Sequence, residues 1–106
     1  MNAALPKIAV PKIAVPKIPV TIPLALRPLC RDERQICLEG GSIRELLAEL
    51  ARKYPQVHVR LCDERGEPRP HINVFVNDDH IRTRAGLDTP LTAVDSVFIL
   101  PAVSGG

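Results

Sequence analysis

The chain has 106 residues, 45% of them apolar, which fits a single domain with an aliphatic core, since Tyr54, Phe75 and Phe98 are the whole aromatic supply. A domain of this size buries about 60–65% of its unfolded surface, enough to fold but little for a deep catalytic cleft. The formal charge of +2 is unevenly spread: residues 1–20 hold Lys7, Lys12, Lys17 and no acid, and the rest carries 11 basic and 12 acidic side chains without a basic stripe, so nucleic-acid binding is not expected.

The first twenty residues contain PKIAV-PKIAV-PKIPV, near-copies of a five-residue unit whose period matches neither helix nor strand. Proline at every fifth place favours extended, unpaired backbone. Residues 1–19 therefore read as a flexible low-complexity extension, with an interaction arm or a start-site artefact as alternatives. Its apolar runs are too short for a signal peptide or a membrane span. From Val20, VTIPLAL reads as a strand, with Pro23 suited to an edge or a bulge. RPLCRDER turns, Gln35–Leu38 is a second strand, and Gly40-Gly41 closes a hairpin.

SIRELLAELARKYP gives the clearest helix, about 42–54. Ser42 and Glu45 make the S-x-x-E capping box. Ile43, Leu46, Leu47, Leu50, Ala51 and Tyr54 form one apolar stripe. Glu49 can pair with Lys53, and Pro55 ends the run. Residues 55–71 read as mostly irregular after a short apolar start at Val57, Val59 and Leu61. Ile72–Val76 is a strand, Asn77–Asp79 a tight turn with a short return through Ile81, and Val97–Leu100 the last strand. One helix covering one face of a small mixed sheet makes an α+β domain over 20–101, followed by a tail at 102–106.

Alternation puts Val97 and Ile99 on one face of the last strand and Phe98 and Leu100 on the other. Ile72, Val74 and Val76 share a face of the preceding long strand, opposite Phe75. A single helix covers only one sheet face, so Phe75, Phe98 and Leu100 form a candidate partner-docking patch on the other. The tail ends Val103-Ser104-Gly105-Gly106, and glycine is the residue that asks for least room in a narrow channel.

VFVNDDHIR, GLDTPL and above all DSVFILPAVSGG resemble the ThiS/MoaD group of ubiquitin-like sulfur carriers, from about Thr21 to Gly106. IPLALRPL resembles the carriers of O-phosphoserine-dependent cysteine biosynthesis in particular. The resemblance implies a β-grasp fold. It implies that an E1-like enzyme, using ATP and magnesium, adenylates the Gly106 carboxylate, and that sulfur then replaces AMP to give a thiocarboxylate. Val103, Ser104 and Gly105 would thread the partner's channel. A sulfur-accepting synthase and a JAMM-type metalloprotease are the further partners implied; no cofactor is bound by the carrier itself. Two features depart from the family pattern: Val94 stands where many relatives have Gly before the last strand, and the segment around Cys62–His71 is long.

Other readings carry less. A ubiquitin-like modifier joined through Gly106 to lysines uses the same fold and the same activated glycine. A non-reactive interaction module would make the glycines incidental. LPAVSGG is not a sortase signal, since the Thr of LPxTG is missing. An enzyme is least supported: His58, His71 and His80 lack ligand spacing, Asp78 and Asp79 suit a turn, and Ser104 has no partner constellation. Cys30, Cys37 and Cys62 make no CxxC pair and no even framework of bridges, and a reducing cytoplasm is the expected compartment, with no membrane association.

Overall fold

The computed structural model describes residues 15–102. Five strands form one mixed sheet: β1 (Lys17–Thr21), β2 (Gln35–Glu39), β3 (Ile72–Val76), β4 (Asp79–His80) and β5 (Val97–Pro101), in the order β2-β1-β5-β3-β4. β1 and β5 run parallel at the centre, while β1–β2 and β3–β4 are antiparallel and β5 is antiparallel to β3. Helix α1 (Ile43–Lys53) and the shorter α2 (Pro55–Leu61) complete the main elements. The β1–β2 hairpin is bridged by a 3₁₀ segment, Leu24–Cys30.

The first strand corrects the sequence reading. It begins at Lys17, so the boundary drawn between residues 19 and 20 falls inside β1, and the third repeat copy is part of the sheet. Proline at position 19 was expected to keep this backbone unpaired, yet it costs the sheet no hydrogen bond. Ile22 N donates to Arg34 O and Gly40 N to Pro16 O, which places Pro19 opposite Cys37 in a pair that exchanges no ladder bonds. On the other side, pairing with β5 begins only at Val20. Ile18, Val20 and Ile22 are fully buried, each contributing about 1.5–3 kcal/mol, which outweighs the weak preference of the repeat for unpaired backbone. The PLAL stretch expected to continue that strand is the start of the 3₁₀ segment instead.

Helix α1 forms as its pattern predicts. Ser42 Oγ accepts from Glu45 N at 3.2 Å, and Glu45 Oε1 accepts from Gly41 N at 2.8 Å, one residue upstream of the usual capping-box partner. Ile43, Leu46, Leu47 and Leu50 are buried against the sheet, and Ala51 and Tyr54 are half-buried. Glu49 pairs with Lys53 at 3.4 Å and with Arg52 at 2.8 Å. Gly40 is required by close approach: a Cβ there would lie 2.8 Å from the backbone nitrogen of Leu46.

Residues 55–61, read as irregular, form α2. Pro55 ends α1 and opens the next helix at a position where its missing N–H costs nothing. Val57 and Leu61, four residues apart, are both buried and hold α2 to the core. GLDTPL braces the start of α1. Ile43 N donates to Thr89 O, Leu91 N to Gly41 O, and Arg44 pairs with Asp88 at 3.0 Å. Buried Thr89 is fully partnered, donating to Gly86 O and accepting from Ala85 N.

Candidate functional site

The reactive tail predicted from the sequence, Val103, Ser104, Gly105 and Gly106, lies outside the described residues. The surface from which it leaves is well defined. β5 carries Val97 and Ile99 into the core, each 1% exposed, and turns Phe98 and Leu100 to the opposite face. There Phe98 stands beside Phe75 and Leu100 beside Asn73 on β3. Across the sheet the row runs Gln35, Thr21, Phe98, Phe75, His80. Phe75, Phe98 and Leu100 thus share one shallow surface with Asn77 and Asp78.

His80 finishes this row. Its ring meets Phe75 edge-on, with centroids 5.1 Å apart. Arg82 N donates to its Nδ1 at 3.0 Å, so Nε2 carries the proton and donates to Asn73 Oδ1 at 3.0 Å. Desolvation, helped by the charge of Arg82, lowers the His80 pKa, which favours a neutral ring beside the aromatics. This partner of Phe75 was missed in the sequence, where the expected short return strand gave no register.

The turns beneath the patch are locked by Asn77, which takes a positive φ of 55°. Its side chain donates to Asp95 Oδ1 at 2.9 Å and accepts from Ser96 N at 3.0 Å. Asp95 Oδ2 accepts from Thr92 N at 2.8 Å. These bonds, from Thr92 first and then Asn77, hold the Asp95 pKa below its ordinary value. The turn before β5 therefore closes through an aspartate, and Val94 needs no left-handed backbone there; it points to solvent.

The edge of the tail is anchored too. β5 ends at Pro101, and Ala102 N donates to His71 O at 2.6 Å. Four residues follow in the sequence, Val103 to Gly106. Elsewhere, Cys30 and Cys62 are buried and Cys37 is exposed on the open face of β2. Burial pushes the Cys62 thiol up to about 11, with Asp63 adding to the effect, and burial also raises Cys30. Among the described residues no cluster of His, Cys, Asp and Glu is built to hold a metal ion, and no helix is long and apolar enough to cross a membrane.

A model of the ThiS family matches residues 20–106, from β1 to the last glycine. The chain belongs to the ThiS family. Its ThiS-family relatives include the sulfur carrier protein CysO of Mycobacterium tuberculosis, 35% identical over 89 residues, 82% of this chain and 96% of that protein. A chain of the Amycolatopsis orientalis BexX/CysO complex superposes with a TM-score of 0.75 at 31% identity, covering 84% of this chain and 99% of that one. The small archaeal modifier protein 1 of Methanosarcina acetivorans gives 0.73 at 31% identity, covering 87% and 98%. With the observed strand order, these neighbours make the fold a ubiquitin-like β-grasp, as the resemblance implied. The ThiS match begins at residue 20, so Lys17–Pro19, three of the five residues of β1, precede it.

Proposed function

We propose that this protein is a sulfur carrier, a co-substrate for enzymes and not itself a catalyst. One observation carries the reading: the ThiS-family match extends from residue 20 to Gly106. The Gly106 carboxylate attacks the α-phosphorus of ATP, bound with magnesium by an E1-like enzyme, and pyrophosphate leaves. A sulfur nucleophile then displaces AMP from the acyl carbon, giving a thiocarboxylate. The sequence of steps follows from reactivity, since a carboxylate is a poor electrophile and its acyl-adenylate a good one. The thiocarboxylate is ionised at neutral pH and is a soft nucleophile, as a thiolate is beside an alcohol.

The rigid domain delivers this group and the glycines let it enter. Side chains at 105 and 106 would widen the channel needed and shield the acyl carbon. Phe75, Phe98 and Leu100, beside the strand that leads into the tail, are the docking patch that positions it, and Val103, Ser104 and Gly105 thread the partner. The likeness to CysO, and to a chain of the BexX/CysO complex, supports a synthase as sulfur acceptor, with cysteine synthesis first among the pathways. A JAMM-type metalloprotease is a further partner on this reading. Three free cysteines fit a reducing, cytoplasmic setting.

A second reading has its own support: the chain is also 31% identical to small archaeal modifier protein 3 of Haloferax volcanii over 68 residues, so conjugation through Gly106 to lysines is the alternative role. Intact mass decides between them. Incubation with ATP, magnesium, a sulfur source and the host's E1-like enzyme is expected to replace one oxygen by sulfur at Gly106, and deletion of Gly105 and Gly106 to abolish the change. Isopeptide-linked Gly106 without a thiocarboxylate would move the assignment to modifier.

A further inference from the structure

We infer that the carrier has a second docking surface, on the side of β5 away from the aromatic patch, that binds an apolar, acid-rimmed surface of the enzyme activating its tail. This rests on the carrier reading above. The surface is an open groove of about 430 Å³ between the 3₁₀ segment and α2, lined by Ala25, Leu26, Val59, Arg60, His71 and Pro101 among others. Val59, 57% exposed, projects from α2 while its neighbours Val57 and Leu61 are buried. Leu24, next to the groove-lining Pro23 in the chain, is 73% exposed. Branched aliphatic side chains left in water on two adjoining elements gain by being covered.

Charge and position identify what covers them. The groove contributes Arg60 and Arg69 and no carboxylate to its lining, so it complements an apolar surface carrying acidic side chains. Arg69 is fixed there, with Nε and Nη2 donating to Val59 O at 3.2 and 3.0 Å. His71 lines the groove and its carbonyl accepts from the N–H of Ala102, the residue that follows β5. Consecutive residues of β5 serve the two surfaces: Leu100 belongs to the aromatic patch and Pro101 to the groove. A partner that grips both sides of β5 holds the base of the tail from two directions. This limits the motion that four further residues would otherwise add to the reacting carboxylate.

The test uses the full chain with the host's E1-like enzyme and reads two quantities, the dissociation constant and the thiocarboxylate gain in mass. Val59→Asp is expected to weaken binding about tenfold or more, and Arg60→Glu to weaken it and flatten its salt dependence. Val94→Asp, at an exposed site outside the groove lining, serves as the control, and thermal melting verifies that each variant folds. Wild-type binding by Val59→Asp and Arg60→Glu, with normal sulfur loading, would overturn the groove and leave the carrier intact. Binding that is groove-dependent but yields no mass gain would sink the carrier reading and keep the groove. Absence of binding by the wild type overturns both. Loss of self-association in Val59→Asp with unchanged enzyme binding would assign the groove to a second copy. Tighter enzyme binding by that variant would assign it to the chain's own tail. Either result ends the proposal.

Discussion

The two faces of the sheet are built from the same five strands and have opposite fates. On one, Ile18, Val20, Val74, Val76, Val97 and Ile99 disappear under α1 and α2. On the other, Cys37, Thr21, Phe98, Phe75 and Leu100 stay half or fully exposed. Branched aliphatics fill the covered face because a short chain with three aromatics must reach interior packing density with small, stiff side chains. Both phenylalanines stand on the open face, where large rigid side chains give contact area at little entropic cost, while Tyr54 packs against the core. The buried face and the open face thus alternate residue by residue along β5.

Neighbouring substitutions test that separation most severely. Ile99→Ala is expected to cost about 2–5 kcal/mol in denaturant unfolding. Leu100→Ala, one position on and 40% exposed, is expected to change stability by no more than about 0.5 kcal/mol while weakening the activating enzyme's grip. Equal losses of stability at the two positions would show that the open face is also structural.

Thiol chemistry sharpens the contrast between surface and interior. At pH 8, iodoacetamide is expected to label Cys37 in the native chain and leave Cys30 and Cys62 unmodified until the protein unfolds. With its thiol pushed up to about 11, Cys62 has about a thousandth of its sulfur as thiolate at that pH, even before access is considered. Native labelling of Cys62, read by peptide mass, would mean that the interior opens around the α2–Cys62 junction.

The smallest effect expected is that of pH on the locked turn. The Asp95 pKa is lowered on folding, so its contribution to stability is present above the ordinary carboxyl value and fades as pH falls from about 4 through the folded value. Asp95→Asn should flatten part of the acid limb of the unfolding midpoint, alongside the half-buried carboxylates Glu49 and Asp63, whose pKa values are lowered as well. An unchanged acid limb in that variant would remove Asp95 from the account.

How far the sequence could be read differs from segment to segment. The helix at 42–54, the strand at 72–76 and the alternation of β5 were legible because each satisfies a local rule: a cap, a period and a turn within a few residues. α2 was obscured because two apolar contacts four residues apart are too few to separate a short helix from a loop. Pro55 was understood only as a stop, although the same residue can start a helix.

By itself the sequence determined the family, through the ending that reaches Gly106, and the one-sided burial that leaves Phe75, Phe98 and Leu100 exposed. Only the tertiary structure decided that Lys17–Pro19 belongs to a strand inside the sheet. That outcome depends on β2 and β5 meeting it where Pro19 needs no hydrogen bond, a relation between residues about 20 and 80 positions apart that no local pattern contains. The same is true of the groove beside the end of β5: its walls come from the 3₁₀ segment, α2, the 69–72 stretch and Pro101. Packing of distant segments joins them, and the hydrogen bond from Ala102 N to His71 O holds the end of β5 against the 69–72 stretch.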